Sequence, residues 1–492
     1  MTESSRPSNL GQILLKNIAT LFAGRGLATV ISALASILLA RYLGRELLGR
    51  YGAVYAYIGL FAWLATFGIE PILGREVALH REQAGSILFT GSIISGISAV
   101  TTTVIALLLA PHFGYGGSIL LLLFLAAIDR LLVMPFCLPG IVFQVDLRQW
   151  YAVSFGLIRQ ILWLGAIIAF ILFGRPSLMW IILVRTACAI VEAILNTGGA
   201  WHKGAMRRPW KFLPRESKLL LVSSLPLALS TLAISVYTRI DKVMLHKMSS
   251  DLILGGYVAA VSLAEIFSLF PVSLSDAIFP LVAKSARDDA DFERYMRLSF
   301  RSLMALVFAV CAVAVPLSRP LTRIVFGAKF SATAPIFAAI IWSEVAVFFG
   351  VVLKMGLIAR NLQGYLAAST IVGAILNIVL NIFWIPRYGA LGATWATNIS
   401  YAFASIFIFL LFRPTRKLAW IGLRASLPAF LLSLGVAGML AFSSLPLLLN
   451  LVAGIVLYVA GAWLTGVVDH DEIERLWRLV GSYLPSARPD ST

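Results

Sequence analysis

The composition of this 492-residue chain is that of a membrane protein, because 60% of its residues are hydrophobic and only 13% are charged. About a quarter of a typical soluble domain is charged, so a soluble fold is excluded. The formal net charge is +17 at pH 7, which in a soluble chain would indicate a nucleic-acid partner. Here the positive charge lies mainly in loops that the positive-inside rule assigns to the cytoplasm, so we expect no such partner.

Apolar stretches long enough to cross a bilayer, about 20 residues each, follow one another along nearly the whole chain. They predict an all-α polytopic membrane protein with about fourteen transmembrane helices. The first stretch is too long for the core of a signal peptide and is expected to be an uncleaved anchor. The predicted spans are 13–41, 49–70, 86–110, 117–141, 150–173, 177–200, 219–245, 252–280, 299–318, 331–358, 362–385, 389–412, 425–444 and 447–467.

The loops between these spans give the predicted orientation of the chain. The segment 201–218 is the most basic connection, and the loops at 284–301 and 413–424 are also rich in Lys and Arg. These loops are expected in the cytoplasm, together with both termini. After a run of acids at 469–472, the tail places Ile473 and Trp477 on one helical face. That pattern predicts an amphipathic helix on the membrane surface or, alternatively, a helix that binds a partner.

The chain contains a predicted internal repeat. Residues 41–61 align without gaps on residues 247–267, so that Gly49 matches Gly255 and Tyr51 matches Tyr257. We interpret the match as a gene duplication, and the alternative is coincidence between apolar sequences. Parallel repeats of this kind place the substrate site between two pseudo-symmetric lobes. The predicted parts are an N-lobe (1–200), a cytoplasmic linker (201–218), a C-lobe (219–412), an extra helix pair (413–467) and a cytoplasmic tail (468–492).

Four arginines lie where hydrocarbon is expected. Arg25, Arg130, Arg159 and Arg185 fall near the middle of apolar stretches. An arginine at the centre of a spanning helix costs about 2.5–3.5 kcal/mol on insertion scales. Such residues are expected to face a wet cavity that binds an anionic cargo. For Arg25 the alternative is an ion pair with an acid on another helix, and Arg130 could instead serve only its own lobe.

Further cations extend the predicted substrate-binding set. Arg239 and Lys242 lie three residues apart on one stripe of the seventh predicted span, so their charges reinforce each other. On the same span, Asp241 could face Tyr237 or Thr238. Lys354 lies nearer the predicted inner face. For the cations the alternative is that their long side chains reach the membrane surface.

Acidic residues within the spans are candidates for a proton or sodium site coupled to transport. They are Asp129, Asp241, Glu265, Asp276 and Glu344. Enzyme signatures are missing: the five histidines are scattered in loops without metal-ligand spacing, and no Gly-x-x-x-x-Gly-Lys motif occurs. We therefore expect no metal, no cofactor and no catalytic site.

Five motifs in order resemble the polysaccharide-transport (Wzx-type) branch of the multidrug/oligosaccharidyl-lipid/polysaccharide exporter superfamily. They are ARYLGRELLGRYGAVYAY after the first span, Phe143-Gln144 after the fourth, RIDKVML in the seventh, IVFGAKFSATAPIF at 324–337, and NIVLNIFWIPRYGALGATWATNISY at 377–401. The resemblance covers about 13–412. It implies two six-helix lobes in a V, alternating access, and a location in the bacterial inner membrane.

The resemblance also implies a cargo, an undecaprenyl-diphosphate-linked oligosaccharide for O-antigen or exopolysaccharide assembly. This cargo would be flipped from the cytoplasmic to the outer leaflet, with cavity arginines holding its diphosphate. Membrane lipids and the polysaccharide assembly machinery are the other expected partners. The alternatives are a peptidoglycan-precursor flippase, a drug or cation antiporter of the same superfamily and, from another class, a membrane-embedded polymerase or ligase.

Overall fold

The computed structural model describes residues 7–174, 177–202 and 210–467, and throughout these ranges the regular structure is helical. The predicted amphipathic tail at 468–492 lies outside the described residues, as does most of the basic linker. The helices are α1 (Pro7–Leu60), α2 (Ala62–Thr66), α3 (Ile69–Leu79), α4 (Ala84–Leu109), α5 (Ile119–Ala127), α6 (Met134–Cys137), α7 (Ile141–Val145), α8 (Trp150–Phe173), α9 (Leu178–His202), α10 (Pro214–Met248), α11 (Asp251–Ala264), α12 (Leu269–Ser285), α13 (Asp289–Ala314), α14 (Ser318–Phe326), α15 (Ala334–Ile340), α16 (Ser343–Ala359), α17 (Gly364–Ala402), α18 (Ile408–Leu411), α19 (Arg413–Ala441) and α20 (Leu447–Leu464).

Eleven helical segments of the described chain are long and apolar enough to cross a membrane, so the all-α membrane fold is confirmed and the count of fourteen is not reproduced. The first two predicted spans fall in one segment, Gly26–Leu60, and the spans 362–385 and 389–412 fall in another, Gly364–Leu411. The seventh predicted span corresponds to α10, which is not among the eleven. Residues 219–236 of α10 are nevertheless uncharged and mainly apolar, so the seventh span stays a prediction.

The long helix α17 is bent at the position where the sequence predicts a break. Gly389 has a φ of 55°, a conformation that L-residues with side chains rarely adopt. Three residues later, a Cβ on Gly392 would stand 2.3 Å from the carbonyl oxygen of Trp384. The chain therefore turns back on itself here, and only glycines fit the turn. In α1 a similar kink occurs at Gly44, with a φ of 70°.

The chain forms two compact units. The N-terminal unit consists of Thr20–Ser262 with Ala374–Ala396, and the C-terminal unit consists of Met1–Ala19, Leu263–Gly373 and Thr397–Thr492. In the N-terminal unit, α10 packs against α2, α3 and α4, so this unit continues past the proposed linker. The lobe boundaries drawn from the repeat stay a prediction.

Each unit has its own apolar core. In the C-terminal unit, α13 packs along α19 and α16, with the rings of Phe300 and Phe349 4.7 Å apart. Gly422 of α19 lies against both rings and leaves no room for a side chain. In the N-terminal unit, Leu73 and Phe143 are buried in a second core cluster. These cores fix the helices that carry the charged residues.

Candidate functional site

The predicted intramembrane charges of the fourth, fifth and sixth spans meet in one ionic cluster of the N-terminal unit. At its centre is Asp129, whose side chain is fully buried. Asp129 and Arg130 lie in a π-helical turn at Ile128–Leu132, between α5 and α6. Pro135 follows in the first turn of α6 and has no N–H to continue the α-helical hydrogen-bond ladder. The wide turn directs Asp129 inward and leaves Arg130 accessible.

Arg185 of α9 is the most enclosed arginine of this cluster. Its Nε donates to Asp129 Oδ2 at 3.1 Å, and its Nη1 donates to the hydroxyl of Tyr51 at 2.7 Å. Its guanidinium also lies 4.8 Å from the ring centre of Tyr55 and 5.3 Å from that of Trp163. A guanidinium over aromatic faces gains cation–π attraction. Arg185 is therefore held in one orientation from several sides.

Arg159 of α8 is held by two carboxylates. Its Nη1 donates to Glu192 Oε2 at 2.9 Å, and its Nη2 donates to Asp129 Oδ1 at 3.4 Å. Both oxygens of Asp129 thus accept from arginines. The structure therefore places Asp129 as the anchor of this cluster. The predicted roles of Asp129 in ion coupling and of Arg159 and Arg185 in substrate binding stay predictions.

Arg130 is the accessible cation of the ionic cluster. Its side chain is 40% exposed, and its Nε is 3.9 Å from Asp129 Oδ2, beyond hydrogen-bond distance. Its guanidinium lies 5.5 Å from the ring centre of Tyr55. Three arginines and two carboxylates leave one positive charge in excess. The cluster can therefore attract an anion, and Arg130 has N–H groups to offer it.

Arg239 of α10 lies against α1, the helix that Arg185 also contacts. A Cβ on Gly59 of α1 would come within 2.8 Å of the Arg239 side chain, so the glycine makes room for the guanidinium. The Nε of Arg239 is buried and has no hydrogen-bond partner within the described part of the chain. A buried donor without a partner is costly. Arg239 Nε is therefore a donor that lacks an acceptor among the described residues.

Arg185 and Arg239 contact successive turns of α1. Tyr51, Tyr55 and Gly59 follow one another at four-residue intervals, which is about 6 Å along a helix. Arg185 contacts the two tyrosines, Arg130 lies over the second, and Arg239 covers the glycine. We call Arg130, Arg185 and Arg239 with these contacts the arginine row.

Asp241 has a partner that the sequence expectation did not include. Asp241 is buried and accepts a hydrogen bond from the hydroxyl of Tyr257 on α11, where the sequence suggested Tyr237 or Thr238 of its own helix. Asp241 Oδ1 also accepts from the backbone N–H of Lys242 at 2.7 Å. Tyr257 is the repeat counterpart of Tyr51, so both copies use this tyrosine to bind a charged side chain.

Among the side chains that the structure describes, the other predicted site residues do not join the arginine row. Arg25 and Asp276 lie on α1 and α12, and their side chains are outside the described part of the structure. In the C-terminal unit, Lys354 is exposed on α16. Glu344 begins the same helix with a buried side chain whose Oε2 has no described hydrogen-bond partner. Glu265 lies in the 3₁₀ turn at Glu265–Ser268, which packs against α16.

The two repeat copies touch backbone to backbone within the N-terminal unit. A Cβ on Gly49 of α1 would stand 1.9 Å from the carbonyl oxygen of Asp251, and one on Gly255 of α11 would stand 1.7 Å from that of Arg45. Cβ atoms essentially never come within 3.0 Å of such atoms. Only glycine fits at either position, and we call this contact the glycine crossing.

The contacts at the glycine crossing follow the repeat. Arg45 corresponds to Asp251 and Gly49 to Gly255, so the two contacts exchange equivalent residues. One turn on, a Cβ on Gly52 would lie 3.5 Å from the Cβ of Val258, its own counterpart. Residues that meet their own equivalents are what a two-fold axis produces. The geometry therefore supports duplication over coincidence.

Polar contacts surround the crossing at its predicted outer end. Arg50 Nε donates to Asp251 Oδ2 at 3.0 Å, and Asp251 Oδ1 lies 2.8 Å from His246 Nδ1. The Nζ of Lys247 donates to the carbonyl oxygen of His112 at 2.8 Å. The ion pair between Arg50 and Asp251 is partly exposed, and such pairs contribute about 0–1 kcal/mol. They hold the crossing closed without making it permanent.

Comparison with known proteins decides the family. The polysaccharide biosynthesis protein family matches residues 14–286, more than half of the chain. The chain belongs to this family. The MatE family also matches residues 226–383, and the two family matches together confirm the resemblance to the polysaccharide branch of the exporter superfamily.

Relatives and solved structures agree with this family. The probable low-salt glycan biosynthesis flippase Agl15 of Haloferax volcanii is 23% identical over 74% of this chain and 76% of its own length. The putative O-antigen transporter of Shigella dysenteriae is 25% identical over 38% of this chain and 46% of its own. The lipid II flippase MurJ, in an inward closed conformation, has a TM-score of 0.70 at 15% identity, over 94% of this chain and 99% of its own. At that identity the likeness to MurJ shows the fold alone.

Sequence reasoning missed the aromatic part of this family member's site. Tyr51, Tyr55 and Trp163 surround Arg185, and none was a candidate from the sequence. One signal was present, since Tyr51 and Tyr257 are equivalent in the repeat and both bind charged groups. For Trp163 the only signal in the sequence was its position one helical turn after Arg159.

Proposed function

We propose that this polysaccharide-family protein flips an undecaprenyl-diphosphate-linked oligosaccharide, of O-antigen or exopolysaccharide type, from the cytoplasmic to the outer leaflet. The observation that carries the proposal is the arginine row, in which Arg130, Arg185 and Arg239 contact successive turns of α1. A diphosphate is the anionic part of such a cargo. Two relatives are named as a glycan biosynthesis flippase and an O-antigen transporter, and these names support a glycan as the other part of the cargo.

The arginines of the row have different roles. Arg239 has a buried Nε without a described partner, and Arg130 has an exposed guanidinium. These two bind phosphate oxygens through charge-assisted hydrogen bonds, for which the planar guanidinium is well suited. Arg185 is already bound to Asp129 and Tyr51. It acts as a fixed positive charge that positions the α1 side of the site.

The glycine crossing supplies a movable contact for alternating access. Its backbone contacts require glycines, whereas its polar contacts are weak enough to separate. Opening the crossing lets the outer side admit water and release the glycan. Closing it seals that side while the cytoplasmic side loads.

The remaining parts of the proposal follow from the family and the charge distribution. The chain acts as a carrier and makes or breaks no covalent bond of its cargo. It lies in the bacterial inner membrane with both termini in the cytoplasm, as the basic loops favour. The polysaccharide assembly machinery receives the flipped lipid.

A reconstituted transport assay tests the proposal. Vesicles would contain a fluorescent undecaprenyl-diphosphate oligosaccharide, and its arrival in the second leaflet would be followed by quenching. Removing two charge-assisted contacts of about 1.5 kcal/mol each should slow flipping by about 100-fold in R130Q/R239Q. Arg323→Gln, on the exposed face of α14, is the matched control and should flip normally. An unchanged rate in R130Q/R239Q would refute the role of the row.

A further inference from the structure

A basic groove lies in the C-terminal unit and shares no residue with the arginine row. It is a cavity of about 660 Å³ between α13 and α19. The start of α13 and the start of α19 form its walls, and the end of the described chain closes it. The lining residues are Glu293, Arg297, Arg301, Lys417, Trp420, Ile421, Arg424, Ala425, Pro428, Gly466 and Val467.

The groove carries an excess of positive charge. Arg297 and Arg301 follow one another by one turn on α13, and Lys417 and Arg424 lie two turns apart on α19. Its one lining acid, Glu293, is paired with Lys417. Four cations and one carboxylate leave three positive charges in excess. Such a concentration of charge needs an anion of comparable strength.

Two contacts fix the shape of the groove. Arg301 donates to the carbonyl oxygens of Gly466 and Val467, with the second bond at 3.4 Å, and so holds the segment after α20 against α13. The guanidinium of Arg424 lies 5.4 Å from the ring centre of Trp420 on its own helix. The groove is thus a formed cavity with oriented cations.

The groove is also amphipathic along α19. Its charges lie within about three helical turns of the two helix starts, and Ala425 and Pro428 continue it toward the apolar part of α19. Trp420 is 51% exposed and Leu427 is 54% exposed, so this side of α19 faces its surroundings with apolar groups. In a spanning helix those surroundings are lipid.

We propose that this groove binds the phosphate headgroup of an anionic membrane phospholipid, with the first part of an acyl chain lying along Ala425 and Pro428. Basic pockets between membrane helices are suited to anionic headgroups, and each Lys or Arg near a charged membrane surface contributes to the attraction. A free anion would use the cations but not the apolar continuation. The bound lipid connects α13, α19 and the segment after α20, and it is distinct from the transported cargo.

Lipid binding to the purified full-length protein tests this site. Native mass spectrometry would titrate phosphatidylglycerol, with phosphatidylcholine as the zwitterionic comparison. The double variant R297Q/R424Q should bind phosphatidylglycerol about 30-fold more weakly, from two lost basic contacts. The matched control is R294Q/R413Q, which removes two exposed arginines of the same two helices that do not line the groove. It should bind like the unaltered protein.

Three outcomes of the titration would overturn the proposal. The first is an equal loss of binding in both double variants, and the second is an equal affinity for phosphatidylcholine and phosphatidylglycerol. The third is displacement of the lipid by glycerol phosphate, which would indicate a site for free anions. Undecaprenyl diphosphate is added in a separate titration, and its displacing phosphatidylglycerol from the groove would identify a cargo site instead. Equal thermal unfolding of the two double variants establishes that any difference is one of binding.

Discussion

A disulfide across the glycine crossing should stop transport. In the variant G52C/V258C, the two Cβ atoms start 3.5 Å apart, at the lower end of the range of about 3.5–4.5 Å that disulfides require. Replacing Val258 also removes the methyl group that would stand 2.5 Å from a Cβ at position 52. The bond can therefore form with little movement of either helix.

The effect follows from what holds the crossing in the unaltered protein. Its partly exposed ion pairs contribute about 0–1 kcal/mol each, so thermal motion can open it. A disulfide removes the open state, and oxidised protein should flip cargo no faster than protein-free vesicles do. By chain entropy, a bond that closes a loop this long should also stabilise the folded state by about 5 kcal/mol.

The assay compares oxidised and reduced protein in the same vesicles. Transport should return when the disulfide is reduced, and V258C alone should be insensitive to oxidant. The native Cys188 and Cys311 are buried and Cys137 is partly buried, so they should contribute little background. Normal flipping by fully cross-linked protein would refute the idea that the crossing opens during transport.

Three other predictions separate residues that support the fold from residues that act in transport. Asp129→Ala leaves Arg159 and Arg185 without their shared acceptor and should lower the free energy of unfolding by about 3–5 kcal/mol. Arg130→Gln should lower it by less than about 1 kcal/mol. Equal losses of the two variants in denaturant titrations would contradict the assigned roles. The leucine of Gly49→Leu cannot fit at the crossing, so this variant should not flip the cargo. Gly165→Leu should flip it normally, because no atom lies within 4 Å of a Cβ at position 165. Equal flipping by both variants would contradict the packing argument. Tyr51→Phe removes the 2.7 Å hydrogen bond that Arg185 donates. The thermal unfolding temperature should fall by the equivalent of about 1 kcal/mol. An unchanged temperature would mean that this hydrogen bond does not stabilise the fold.

The sequence predicted the class of fold because hydropathy alone identifies spanning helices. The repeat was also detectable in the sequence, because Gly49 and Gly255 occupy equivalent positions. Close backbone contacts require glycine at both of them. The count of fourteen helices was not reproduced where a bend does not interrupt the helix, as at Gly44. Hydropathy does not register such a bend.

The site was predictable only as a set of unusual residues. Arginines in apolar stretches marked the ionic cluster correctly, but pairing depends on which helices pack together. Arg159 and Arg185 meet Asp129 because α8 and α9 pack beside its π-helical turn. Local sequence around Arg185 contains neither Tyr51 nor Trp163, so its surroundings required the structure.

The most direct test of the central claim is the affinity of the purified protein for undecaprenyl diphosphate against undecaprenol, which lacks the diphosphate. If the arginine row recognises the diphosphate, the diphosphate should bind more tightly, by about tenfold or more for each charge-assisted contact. Arg239→Gln should remove about one such factor from the diphosphate and leave the affinity for undecaprenol unchanged. Equal affinities for the two lipids, or an Arg239→Gln protein that still distinguishes them fully, would contradict the account.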